Sequence, residues 1–244
     1  MSALPGTTGR RRIYLMRHGH VDYFAREVRE AGHTDLVPLT PLGREQAKAS
    51  GAALSHVRFD LALSSGLPRT RETAEIVLAA NADTAHLTLG VDAGLVEIKG
   101  SGKVMAKSRE ELAARMAFEF DQAAEPGARM MGGDVFADVQ ERATDAIKRL
   151  LAQPAWHTAL VVAHEGVNRL VLSWMTGNAL KGVQAFEQDL ACINILDFDL
   201  VPREDGSVGT QIARSMIKAV NITPYNFVKH GMNLTSLEAI FARV

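Results

Sequence analysis

A single cysteine, Cys192, stands in the 244 residues of the chain. That excludes an internal disulfide and fits a reducing compartment. Its neighbours Leu190, Ala191 and Ile193 are apolar, so it reads as a packed strand residue and not as a reactive thiol. An excess of either charge is also missing, with 27 Lys plus Arg against 28 Asp plus Glu. Broad attraction to nucleic acid or to a membrane surface needs a basic surplus, so neither partner is expected. Long hydrophobic runs are absent too. Only four apolar residues separate Arg10-Arg11-Arg12 from Arg17, where a secretory segment needs roughly seven and a membrane span roughly 18. Cytoplasm is the expected compartment. No repeat, low-complexity block or linker divides the chain, and 47% hydrophobic content suffices for one full core. The expected organisation is a flexible tail over 1–12 and one domain over 13–244. Its core motifs fall within 13–200, with an extension over 201–244 that could cover part of a site.

What the sequence does hold is concentrated in Ile13-Tyr14-Leu15-Met16-Arg17-His18-Gly19-His20. Four apolar residues have the content of a buried strand. They run straight into a guanidinium and an imidazole, and Gly19 then permits a sharp turn or close backbone approach. A strand delivering such groups to the carboxyl end of a sheet puts them where open α/β folds bind ligands. A fixed cation beside a group that titrates near neutrality suits binding an anion and attacking it.

Strands and helices alternate beyond this point. Thr40-Pro41 caps and opens a helix to about Leu54. Asp60 to Ser64 is a short strand, and Pro68 primes a helix to about Ala80. A further strand is expected within 84–91, a loose connection from Lys99 to Lys103, and helix-like sequence near 108–123. Asp134 is expected to cap a longer helix whose Phe136, Val139, Ala143, Ile147 and Leu150 form one apolar face. Thr158 to Ala163 is the strongest strand after the first and ends at His164, before a helix from about Gly166 to Met175. Cys192 to Leu200 and Thr210 to Val220 read as strands joined through Glu204-Asp205-Gly206. The alternation predicts a three-layer α/β/α sandwich with a mostly parallel central sheet.

Three strand ends carry cationic or cation-capable groups: Arg17-His18-Gly19, Ser64-Ser65 through Arg69 to Thr73-Ala74, and His164-Glu165-Gly166. With Pro38-Leu39-Thr40-Pro41-Leu42-Gly43, these motifs resemble the histidine phosphatase superfamily, the phosphoglycerate mutase-like family, over roughly residues 12–175. The resemblance implies a phosphate pocket from Arg17, Arg69 and His164, with His18 as nucleophile and no cofactor or metal. It also implies a glutamate acid between the second arginine and second histidine, for which Glu97 is the best match. Arg71 competes with Arg69, but the spacing to Thr73-Ala74 favours Arg69. Glu110, Glu111 and Glu119 compete with Glu97, but they sit on what reads as a solvated helix. The partner is then a small phosphorylated metabolite, and a homodimer stays open.

Other readings use some of the same residues. His18-Gly19-His20, extended by His164-Glu165, has the spacing of a metal-binding set. Against it, Arg17 would put a permanent cation beside the metal, and Arg69 would have no role. A non-catalytic phosphate-binding module would lack a cation or the acid. A cofactor-dependent mutase would need a closing lid, whereas 98–133 contains no Tyr or Trp. Gly100-Ser101-Gly102-Lys103 misses the first glycine and the final Ser or Thr of a nucleotide loop. The remaining six histidines read as surface or packing residues, although His20 stands two residues from the nucleophile. After the second histidine the family commonly has a pair of glycines, whereas this chain has Glu165-Gly166. That carboxylate is expected either to repel a highly charged substrate or to turn out to solvent.

Overall fold

The computed structural model describes residues 9–31, 34–101 and 109–241. Six strands form one sheet: β1 (Gly9–Arg17), β2 (Leu61–Ser64), β3 (Leu89–Val91), β4 (Thr158–Ala163), β5 (Ile193–Pro202) and β6 (Thr210–Ile222). Their spatial order is β3-β2-β4-β1-β5-β6. The first four of these are mutually parallel, and β5 and β6 add an antiparallel edge. The helices are α1 (Arg26–Ala31), α2 (Pro41–Leu54), α3 (Pro68–Ala79), α4 (Arg109–Ala117), α5 (Phe136–Ala152), α6 (Glu165–Met175) and α7 (Ser236–Phe241).

Side chains alternate across β1, as the period of a strand requires. Ile13 and Leu15 enter a core with α5 and α6, including Phe136, Ile147, Leu170 and Val171. Tyr14 and Met16 enter a second core with α2 and α3, including Leu54, Ala74 and Val77. The expected three-layer sandwich is therefore the observed fold. In-register pairing of Arg17 with Ala163 and of Ser64 with Val162 brings the ends of β1, β2 and β4 to one edge.

Several expectations need correction. The strand does not start at Ile13 behind a tail but at Gly9. Arg10 and Arg12 each place Nε 2.7 Å from a carboxylate of β5, on Asp199 and Asp197. Arg11, facing the other way, lies over Trp156. Two of the three charges of the triplet, on Arg10 and Arg12, are thus matched by carboxylates. Residues 1–8 lie outside the described residues, as do Gly102 and Lys103 of the connection.

Asp134 does not cap α5, which begins at Phe136 without a side-chain cap. Its carboxylate accepts from the Lys99 N–H at 3.0 Å, and its own N–H donates to the Lys99 carbonyl at 2.8 Å. This clamps the strip after Glu97 onto the 130–134 turn. Gly133 permits the contact, since a Cβ there would stand 2.2 Å from the Lys99 oxygen. Helix-like sequence near 108–123 is helical only to Ala117. Glu119 lies beyond the helix, buried, and accepts from the Met131 N–H. Cys192 is packed as expected, its thiol pushed up to about 12, chiefly by burial. No helix is long and apolar enough to cross a membrane among the described residues.

Candidate active site

Arg17, His18, Arg69, Glu97 and Glu165 line one cavity of about 550 Å³ at the carboxyl edge of the sheet, in the size range of small-molecule sites. His164 lies against it, its ring centroid 5.2 Å from that of His18. All five residues predicted from the sequence therefore converge. Arg71 instead pairs loosely with Glu75 on an exposed stretch of α3.

His18 is pinned through its backbone: its N–H donates to the Ala163 carbonyl and its carbonyl accepts from Ala191. Its Nδ1 lies 2.7 Å from the Gly19 carbonyl. A carbonyl only accepts, so Nδ1 carries the proton and Nε2 keeps its lone pair. Burial, then Arg69 and Arg17, hold the imidazole well below its ordinary pKa, which keeps it neutral. Gly19 is dictated by packing, because a Cβ there would sit 2.4 Å from the Gly43 carbonyl oxygen at the start of α2.

The second histidine is held from one side only. Ser65 Oγ lies 2.8 Å from His164 Nε2 and 2.9 Å from Thr70 Oγ1, while Nδ1 is buried without a partner. Arg17 donates from one terminal nitrogen to the Gln188 carbonyl at 2.6 Å. Arg69 donates to the Thr34 and Asp35 carbonyls and lies near the Tyr23 ring. The Nε atoms of both arginines are buried with no hydrogen-bond partner. Unpaired buried polar groups are costly and rare, and these three belong to residues that converge on one cavity. An anion with several acceptor oxygens suits such a set.

Glu97 reaches the site from a different direction. Its carboxylate accepts from the Ile98 N–H at 2.9 Å and from the Gly166 and Val167 N–H groups at the start of α6, both at 3.2 Å. Those donors favour the charged form, as does Arg17. Burial, seconded by nearby Glu165, outweighs them and raises its pKa. Gly166 leaves the room, since a Cβ there would meet Ile98 at 2.5 Å and Glu97 at 2.8 Å.

Glu165 neither turns out to solvent nor stands alone. It is 3% exposed, with Oε2 at 3.1 Å from Arg17 and Oε1 at 2.9 Å from Arg169. Ser236 of α7 donates to it and to Glu187. Two things the sequence did not show follow, the inward direction of Glu165 and its Arg169 partner, whereas the C-terminal extension reaches the site as the sequence allowed, with Leu237 lining the cavity. An i,i+4 Glu–Arg spacing on α6 was the available signal for the pair; nothing local points to Ser236. His20 is occupied elsewhere, with Nδ1 2.8 Å from Thr40 Oγ1. Among the described residues no group of three or more His, Cys, Asp or Glu is placed to hold a metal ion.

A family profile described as the histidine phosphatase superfamily (branch 1) matches residues 13–201. The chain is similar to the 2-carboxy-D-arabinitol-1-phosphatase of Triticum aestivum, 29% identical over 202 residues, covering 82% of this chain and 39% of that protein. It thus spans about two fifths of the length of that relative. It is also similar to the adenosylcobalamin/alpha-ribazole phosphatase of Escherichia coli (strain K12), 27% identical over 191 residues, covering 77% of this chain and 90% of the other. Among solved structures, the alpha-ribazole phosphatase of Shigella flexneri superposes with a TM-score of 0.61 at 24% identity, over 86% of this chain and 96% of that one. A mycobacterial glucosyl-3-phosphoglycerate phosphatase gives 0.65 at 21% identity, over 87% and 99%. At these identities the structural likenesses bear on the fold.

Proposed function

Because the chain belongs to the histidine phosphatase superfamily, we propose that it is a phosphomonoester hydrolase working through a phosphohistidine, without a metal. The observation that carries this reading is the pairing of a neutral, oriented His18 with two unpartnered donors, Arg17 Nε and Arg69 Nε, and the unpartnered His164 Nδ1. A transferred phosphoryl group spreads charge over its equatorial oxygens, so catalysis is mostly positioning and cationic stabilisation. His18 Nε2 attacks the phosphorus in line, forming a P–N bond as the ester P–O bond breaks. Glu97 gives its proton to the leaving oxygen. Water then attacks the phosphohistidine, its proton passes to Glu97, and inorganic phosphate leaves as the P–N bond breaks. One difficult displacement becomes two easier ones. The relatives named above are phosphatases of small phosphorylated compounds by name, which supports a substrate of that kind.

His18→Ala is expected to abolish release of nitrophenolate from p-nitrophenyl phosphate while the fold persists. Near-wild-type turnover in that variant would sink the proposal, as would loss of activity on chelation that zinc or manganese restores. Glu97→Gln is expected to slow alkyl phosphates on the order of a hundredfold or more, and p-nitrophenyl phosphate far less, because nitrophenolate needs little protonation. Equal losses would move the acid role elsewhere. Monitoring 2-phosphoglycerate beside inorganic phosphate, with 3-phosphoglycerate as substrate, tests the mutase alternative. Isomerisation without phosphate release would restore it.

A further inference from the structure

Beside its charged residues the cavity has a large apolar lining. Phe24, Met116, Phe120, Met130, Met131 and Leu237 contribute to it, together with Leu67 and Ile98. They come from separate stretches of chain: the segment after β1, α4, the turn beyond it, the 130–132 turn and α7. Buried and half-buried methionines and phenylalanines gathered from remote segments around one cavity make an apolar wall that adapts to shape. Charge points the same way. Of the cations lining the cavity among the described residues, Arg17 already faces Glu165 at 3.1 Å, and Lys99 at the rim is 2.9 Å from Asp35. Arg69 and the remainder of Arg17 face the phosphoryl position. Three carboxylates, Glu97, Glu165 and Asp35, line the same cavity. A second anionic group on the substrate would meet these carboxylates and, among the described residues, no unclaimed cation.

We propose that the site selects a phosphate monoester of an apolar alcohol or phenol bearing no second anionic group. This rests on the phosphatase reading and adds the class of leaving group. Buried methylenes act through transfer from water, at about 0.8 kcal/mol each, which is about a fourfold gain per methylene.

The test is kcat/KM for ethyl, butyl and hexyl phosphate, with 2-naphthyl phosphate, 3-phosphoglycerate and glucose 6-phosphate alongside. Unbranched alkyl alcohols have nearly the same acidity, so the series isolates burial from leaving-group chemistry. The expected result is a rise of about threefold to fourfold per methylene, with 3-phosphoglycerate and glucose 6-phosphate at least tenfold below butyl phosphate. A flat or falling series, or charged substrates that match hexyl phosphate, would overturn the inference and leave the phosphatase reading intact. No phosphate released from any ester, p-nitrophenyl phosphate included, would instead overturn the phosphatase reading. In Met116→Gln and Leu237→Ala the hexyl-to-ethyl ratio is expected to shrink severalfold. An unchanged ratio in both would overturn the assignment to this wall.

Discussion

Glu165 lies close enough to Arg17, one of the two arginines proposed to hold the phosphoryl group, to offset part of its charge before any substrate arrives. Relieving that offset should show in equilibrium and in rate. Glu165→Gln is expected to tighten inhibition by inorganic phosphate on the order of tenfold, the usual worth of one neighbouring charge. The same change takes a negative charge away from Glu97, whose pKa then falls. In the proposed mechanism Glu97 must be protonated to release an alkoxide, so the alkaline limb of kcat on alkyl phosphates should move to lower pH. His18, already neutral well below its ordinary pKa, sets no limb near neutrality. Phosphate inhibition and the pH profile together check this, and unchanged values for both would make Glu165 a purely structural residue. Arg17, His18 and His164 were legible because each ends or follows an apolar strand, an unusual place for such groups, and Arg69 through its spacing to Thr73-Ala74. Glu165 was not, because a carboxylate after a strand end reads alike whether it turns in or out. Its direction depends on Ser236, 71 positions away.

Among the elements, α6 holds its N-terminus against Glu97, and Gly166 sets the distance between them. Gly166→Ala would press on both Glu97 and Ile98. Overpacking of this kind costs about 1–3 kcal/mol, so the melting temperature should fall modestly. Turnover of alkyl phosphates should fall more than turnover of p-nitrophenyl phosphate, because the displaced group is the one proposed to protonate the leaving oxygen. Matched losses on both substrates would mean that Gly166 serves packing alone. Element boundaries were legible to the extent that they rest on local composition. Thr158–Ala163 and the Thr40-capped helix follow from an apolar run and a side-chain cap, and both stand as expected. Asp134 was misread because one residue type serves both as a helix cap and as a loop clamp, and only Lys99 opposite decides between them. The start of β1 was missed because Arg10 and Arg12 look solvated until Asp197 and Asp199 are brought alongside.

At the scale of the whole molecule, the sheet buries two imidazoles, His18 and His164, in the neutral form. Both sit well below their ordinary pKa, first through burial and then, for His18, through Arg69 and Arg17, and for His164 through His18 and Arg69. Unfolded, each takes up a proton near pH 6.5, whereas folded it does so only at much lower pH. The unfolded state therefore binds more protons below about pH 6.5, and stability falls there as pH falls, by up to about 1.4 kcal/mol per unit for each histidine. Thermal melts of the wild type and of His164→Gln across the acid range check this. The variant should lose stability less steeply below about pH 6.5, and parallel slopes would refute the account. The central place of β1 has a further consequence, for synthesis. Its hydrogen-bonding partners begin at Thr158 and Ile193, so both edges of the strand stay bare until translation has reached Thr158 on one side and Ile193 on the other. At ribosomal speed that is a wait on the order of ten seconds, during which Ile13 to Met16 is the stretch of nascent chain most open to mispairing and to capture by a chaperone.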